Sequence, residues 1–151
     1  MVDEALKAED TGVVIVDHGS TRPESNRMLE RFVELFGRCS RFTIVEPAHM
    51  ELAEPSIATA FDRCARRGAR CVVIFPYLLL PGRHWDVDIP ELTRAAAEGH
   101  PGIRYLVTSP IGLHPLMAQV VESRIEHCLA KVVGAADECE SCRGTGHCTL
   151  L

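Results

Sequence analysis

The run Gly12-Val13-Val14-Ile15-Val16-Asp17-His18-Gly19-Ser20 decides the fold. Residues 13–17 are a short, β-branched stretch that opens at a glycine and stops abruptly in polar residues, the pattern of a strand buried on both faces. His18, Gly19 and Ser20 fall where that strand ends. In an open α/β sheet the crevice at the carboxyl ends of the strands is where ligands bind. A histidine there is placed for chemistry, or simply closes the strand end through a backbone hydrogen bond.

Working outward, Thr21 and Glu24 have the spacing of a capping box, and Met28, Leu29, Phe32, Val33, Leu35 and Phe36 recur at helical period up to Gly37. A second strand is predicted over 42–45, running into Glu46-Pro-Ala-His49-Met50-Glu51. Pro55 lies at the start of a second helix with Ile57, Phe61, Cys64 and Ala65 on one face, and Gly68 closes it. A third strand follows at 71–75. The segment 76–90 then reads as one long loop carrying the only tryptophan, and long loops in a compact α/β domain tend to be functional. A helix is expected from about 90 to 98 and a short strand over 104–107. Pro115 begins a last helix whose apolar face is Leu116, Val120, Val121, Ile125, Cys128, Leu129 and Val132, with Gly134 as its stop.

This β-α alternation predicts an α/β fold: one flavodoxin-like, four-stranded parallel sheet in the order 2-1-3-4, helices on both faces and right-handed crossovers. The expected organisation is a flexible N-terminus over 1–11, an α/β domain over 12–133 and a cysteine-rich tail over 134–151. The order sets the loops after strands one and three side by side, so His18 and His84 are expected to meet.

The chain has 151 residues, 46% hydrophobic and 25% charged, which suits a soluble globular domain with a sizeable core. No apolar run approaches the roughly 20 residues of a membrane span, and the acidic opening has no signal-peptide core. A net charge of −5 argues against general nucleic-acid binding but leaves room for an anionic small molecule held by local arginines. Seven cysteines, an odd number, point to reduced thiols rather than a secreted disulfide framework. Cys39, Cys64 and Cys71 read as small core hydrophobes. Cys128, Cys139, Cys142 and Cys148 crowd the end of the chain, with Gly144 and Gly146 to wrap a ligand. Four thiolates suit a structural zinc or an iron–sulfur cluster, with His147 able to replace one, unless the tail is merely a flexible reduced segment.

His18, Glu51 and His84 each follow a strand, and two imidazoles with a carboxylate suit a borderline divalent metal or proton transfer near neutral pH. His49 and Glu46 are alternates. Arg22, Arg27 and Arg83 flank the crevice as anion binders, whereas Arg63, Arg66, Arg67 and Arg70 read as a solvated helix face. Dinucleotide, phosphate-loop and nucleophile-elbow glycine motifs are absent, which argues against those chemistries and leaves Ser20 a weak nucleophile.

Three stretches carry a resemblance: Val-Asp-His-Gly-Ser with Glu-Ser-Asn (16–20 and 24–26), Val-Glu-Pro-Ala-His-Met-Glu-Leu-Ala-Glu-Pro-Ser (45–56) and Leu-Pro-Gly-Arg-His-Trp-x-x-Asp-Ile-Pro (80–90). From Gly12 onward the chain resembles the short sirohydrochlorin chelatases of the SirB/CbiX type, in particular those of plants and algae that use iron. The resemblance extends to the tail spacing Cys-x₁₀-Cys-x₂-Cys-x₅-Cys. It implies a chelatase-like lobe that inserts Fe²⁺ into sirohydrochlorin, the last step of sirohaem synthesis. His18 and His84 correspond to the paired histidines that bind metal and help remove pyrrole protons, and Glu51 to the accompanying carboxylate. It further implies a homodimer with the cleft at the interface, and a [2Fe–2S] cluster on Cys128, Cys139, Cys142 and Cys148.

Sirohydrochlorin carries eight carboxylates, for which Arg22, Arg27 and Arg83, with Ser20, are the candidate partners. Trp85 or Leu78, Leu79 and Leu80 would lie against its apolar face. A cobaltochelatase of cobalamin synthesis and a non-catalytic metal or iron–sulfur carrier are the alternatives. The expected compartment is the plastid stroma or a bacterial cytoplasm. No nucleic-acid or membrane partner is expected.

Overall fold

The computed structural model describes residues 6–151. The expected flexible stretch 1–11 lies in part outside them; within them Ala8–Asp10 form a 3-10 turn and Thr11 already opens the first strand. The chain divides into two compact units, one ending at Gly112 and the other Leu113–Leu151. No helix among the described residues is long and apolar enough to cross a membrane.

The first unit holds the sheet. Strands β1 (Thr11–Asp17), β2 (Ile44–His49), β3 (Cys71–Pro76) and β4 (Arg104–Val107) are all parallel and run in the order β2-β1-β3-β4. This is the order expected from the alternation. β1 is central and buried on both faces: Val14 and Val16 join the core beneath α2 (Ile57–Arg66) and α3 (Ile89–Glu98), while Val13 and Ile15 pack with Leu29 and Val33 of α1 (Pro23–Cys39). β2 extends to His49 as an edge strand, where Pro47 removes no interior ladder bond.

Several local expectations give way. The α1 cap residue is Arg22 and has no side-chain cap bond; Ser20 Oγ accepts the Arg22 N–H at 3.0 Å instead of a Thr21–Glu24 box forming. Gly37 does not end α1, which runs on to Cys39. Met28 and Leu35 are exposed, so the buried stripe narrows to Leu29 and Val33 with Phe32 and Phe36 at its margin. Cys39 is exposed rather than in the core, unlike Cys64 and Cys71; burial pushes the Cys64 thiol up to about 12. The segment 76–90 is not a loop throughout, because His84–Asp88 form a π-helical turn that runs straight into α3. Arg67 is exposed, as expected, and is also a brace: it donates to the carbonyls of Val45 and Thr43 and to Glu46 Oε1 at 2.7 Å, tying the end of α2 to β2.

On the α1 side of the sheet the cover is incomplete. Val73 and Leu106 stand opposite one another and share the face of Val13; Leu106 is 55% exposed, and Val73 and Phe75 are only half-buried.

The second unit is α4 (Pro115–Val132) and the cysteine tail. His114 Nδ1 accepts the Leu116 N–H at the helix start, and Gly134, at φ 78°, ends it. The apolar face expected to be buried is not: α4 has no buried residue, and Leu116, Val120, Val121, Ile125 and Leu129 are all exposed.

Candidate functional site

The carboxyl ends of β1, β2 and β3 deliver the site. β1 ends at Asp17, and His18 follows directly; β2 ends at His49, two residues before Glu51; His84 lies beyond β3 in the π-helical turn. The chain ends after β1 and β2 continue to pair, with Met50 N–H donating to Asp17 O at 2.8 Å and Glu51 N–H to His18 O at 3.1 Å. Gly19 sits at φ 89°, and a Cβ there would overlap the Glu51 carbonyl oxygen, so only glycine permits this approach.

These constraints bring the three predicted residues together. His18 Nε2 lies 2.8 Å from Glu51 Oε1, and the His18 and His84 rings meet edge to face with centroids 5.0 Å apart. His18 Nδ1 is 3.1 Å from Gly19 O. His84 Nδ1 is 2.8 Å from Asp88 Oδ2. A ring nitrogen that donates to an oxygen leaves its other nitrogen as a lone pair, and oxygen partners of this kind orient metal-binding imidazoles. Nε2 of His84 is thus left as a ligand atom, while His18 Nε2 faces Glu51 Oε1 and becomes one when that contact opens. About half of each of the three side chains faces solvent, so the set is open to an incoming molecule. As they stand the groups are hydrogen-bonded rather than closed around an ion: no cluster of three or more His, Cys, Asp or Glu among the described residues is drawn tight enough to chelate.

The alternates do not belong to this set. His49 is wholly buried, with Nδ1 2.6 Å from Asp17 Oδ1. Glu46 is occupied by Arg67 at 2.7 Å and Arg63 at 3.7 Å. Asp17 and Asp88 are the site-supporting carboxylates that sequence reading missed; for Asp88 the signal was its i,i+4 spacing from His84 within a helical turn.

The other candidates lie nearby in the chain with differing freedom. Ser20 is clamped by Asn26, which accepts its N–H at 3.0 Å and donates to its carbonyl at 2.8 Å. Arg27 lies 3.6 Å from Glu24 and Arg83 3.6 Å from Asp88, while Arg22 is exposed with no ion pair among the described residues. Trp85 is half-buried and its Nε1–H donates to Thr108 O at 2.9 Å, which fixes the indole against the end of β4. Leu79 and Leu80 are exposed.

The four tail cysteines gather within the second unit. All are half-buried. Backbone N–H groups of Cys142 and Ser141 hold the Cys139 thiol below its ordinary value. Side-chain hydrogen bonds with Cys148 and Cys139 push Cys142 up to about 12. Cys128 is raised by desolvation and by its bond to Cys148. Gly144 and Gly146, at φ 74° and 72°, turn the backbone around the group. Four neighbouring thiols have the chemistry of a thiolate donor set, although like the crevice groups they are not closed around an ion as they stand.

A family model described as CbiX matches residues 12–128. The chain is 57% identical over 139 residues to the chloroplastic sirohydrochlorin ferrochelatase of Arabidopsis thaliana, covering 92% of this chain and 62% of that protein. It is 30% identical over 115 residues to the sirohydrochlorin cobaltochelatase of Priestia megaterium, covering 76% of this chain and 37% of that protein. Among solved structures, the sirohydrochlorin chelatase SirB from Bacillus subtilis subspecies spizizenii, in complex with cobalt, matches with a TM-score of 0.73 at 31% identity, over 78% of this chain and 50% of that one. The chain thus spans less than two thirds of the length of these relatives.

Proposed function

The chain belongs to the CbiX family, and from that premise we propose that it inserts Fe²⁺ into sirohydrochlorin to form sirohaem. The observation that carries this reading is the convergence of His18 Nε2, Glu51 Oε1 and the His84 ring at one strand-end crevice. Metallation of a tetrapyrrole must strip water from the metal and remove two pyrrole N–H protons. Imidazole Nε2 atoms with one carboxylate hold a borderline divalent ion firmly enough to desolvate it and loosely enough to give it up. As the metal leaves, the same lone pairs accept the pyrrole protons.

The ring would lie with Trp85, Leu79 and Leu80 against its apolar face and its carboxylates toward Arg22, Arg27, Arg83 and Ser20. Arg22 is the most available cation, since the other two already face carboxylates.

Two surfaces support a homodimer. In the first unit Leu106 is exposed and Phe75 half-buried on the α1 side of the sheet, and in the second the apolar residues of α4 are exposed. Exposed apolar side chains gathered on one face are the kind of surface that a partner covers. Sedimentation of the purified protein at twice the monomer mass is the expected result.

Cys128, Cys139, Cys142 and Cys148 would hold a [2Fe–2S] cluster. Such a cluster exchanges single electrons and braces the segment that binds it. Metal insertion transfers no electrons, so the crevice chemistry proceeds without it.

The test is anaerobic: purified protein, sirohydrochlorin and either Fe²⁺ or Co²⁺, followed by the visible spectrum of the tetrapyrrole. Acceleration with Fe²⁺ over the uncatalysed control, lost in His18→Ala, is expected. Acceleration with Co²⁺ alone moves the enzyme to the cobalt reaction named for the Priestia relative. No acceleration with either metal sinks the catalytic reading and leaves a carrier that depends on Cys139 and Cys142.

A further inference from the structure

One carboxylate ties the two strand ends that deliver His18 and Glu51. Asp17 Oδ1 accepts from the Gly19 N–H at 2.9 Å and from His49 Nδ1 at 2.6 Å. A contact this short to a carboxylate oxygen puts a proton on Nδ1. The His49 ring is wholly buried, and its Nε2 has no partner. Buried polar atoms are almost always paired, and an apolar ring would fill the same space without leaving one orphaned. Packing therefore does not account for an imidazole here, whereas its Nδ1–H does.

That bond sits at the decisive point. Asp17 and His49 are the last register pair of β1 and β2. Immediately beyond them Met50 and Glu51 bond back to the carbonyls of Asp17 and His18, and Gly19 lies against the Glu51 backbone. Leu52, next along, is held at φ 70°, a left-handed conformation that a leucine adopts only under constraint from its surroundings. We propose that His49 is a positioning residue: through Asp17 it clips the ends of β1 and β2 together, and so fixes His18 Nε2 and Glu51 Oε1 as a preformed pair for the metal. His49 itself is sealed from solvent and acts only through that carboxylate.

This rests on the chelatase reading, and two readouts keep the failures apart. Co²⁺ titration followed by visible absorption measures the crevice without turnover, with Cys139→Ser and Cys142→Ser in the background so that the tail does not contribute. His49→Phe keeps the ring volume and removes the donor. Its Co²⁺ affinity is expected to fall about tenfold to a hundredfold, as for other residues that orient metal ligands. Its kcat should fall similarly while KM for sirohydrochlorin stays within about twofold, because the residue does not touch the tetrapyrrole. His49→Asn places Nδ2–H where Nδ1–H was, and should recover most of both.

Unchanged Co²⁺ affinity and kcat in a folded His49→Phe protein overturn the proposal, and so does a His49→Asn protein as impaired as His49→Phe. If His49→Phe does not fold, the wild-type protein still decides. Long-range ¹H–¹⁵N NMR is expected to show His49 protonated at Nδ1, and protonation at Nε2 instead overturns the clip. Wild-type protein that binds Co²⁺ but accelerates neither insertion defeats the chelatase reading alone, and the affinity comparison still tests the clip.

Discussion

The strand-end crevice and the cysteine tail are both built from metal-binding residue types, but they are held in opposite ways. His18 and Glu51 stand just past the ends of β1 and β2, His84 stands in the turn that leads into α3, and each has a hydrogen-bond partner within its own unit. The four thiols sit in a unit whose helix buries nothing, and their principal partners are one another and nearby backbone N–H groups. A crevice supported by a core keeps its geometry whether or not metal is present. A thiol cluster without a core depends for its order on what it binds. The two should therefore fail independently, and differently.

The largest effect belongs to the crevice. His18→Ala removes both a ligand atom and the base, and the rate of Fe²⁺ insertion is expected to fall about 10²- to 10⁴-fold. Absorbance from the tail should be unchanged. A loss of both signals together would mean that the two regions are one cooperative structure.

Next comes the backbone that carries the pair. Gly19→Ala asks a residue at φ 89° to place a Cβ on the Glu51 carbonyl oxygen. The expected destabilisation is about 1–3 kcal/mol. Iron insertion should drop at least about tenfold, because sub-ångström displacement of reacting groups is heavily penalised. The control is Gly37→Ala, which meets nothing within 4 Å and lies within α1. That change should stabilise by about 0.5–1 kcal/mol and leave activity alone. Thermal melts with parallel rate measurements check both.

A smaller effect on the reaction is expected from the tail. Cys142→Ser should abolish any cluster absorbance after anaerobic iron–sulfur reconstitution, because it takes out the thiol that touches both Cys139 and Cys148. Iron insertion should stay within about threefold of wild type, since no electron moves in that step. A far larger loss of activity would make the tail a part of the catalytic assembly.

What the sequence disclosed follows the same division. The β-branched run at 13–17 and the alternation behind it were enough for the sheet order, and hence for the approach of His18 to His84 across a gap of over sixty residues. The π-helical turn at His84–Asp88 was hidden because its residues have no apolar period and lie between Pro81 and Pro90; the second proline sits in the first turn of α3, where its missing N–H is harmless. The Asp17–His49 pair was hidden for a different reason. A buried polar pair across two strands leaves no periodic mark, and His49 read as a ligand because its spacing from Glu51 suits a shared face. For α4 the apolar face was legible and its covering was not, since periodicity reports that a face is apolar and not what lies on it.

The finest test of the contrast lies in the order in which thiols react. Alkylation rate follows the thiolate fraction and access. Cys139, held below its ordinary value by backbone N–H groups, should therefore label at a lower pH than an ordinary cysteine in reduced, metal-free protein. Cys142, pushed up to about 12 by its thiol partners, should lag through the neutral range although it is half-buried like Cys139. Cys64, also near 12 but fully buried in the sheet core, should label only on global unfolding. The first two differ in electrostatics and hydrogen bonding at equal access, and the last two in access at equal thiol acidity. Raising the pH stepwise with mass-spectrometric readout thus separates the causes. Equal rates at Cys139 and Cys142 would show that the four thiols are not gathered without a ligand, and the tail would be organised wholly by what it holds. Protection of all four tail cysteines on iron loading, with Cys39 still reactive on the exposed end of α1, would show that the metal completes the unit that lacks a core of its own.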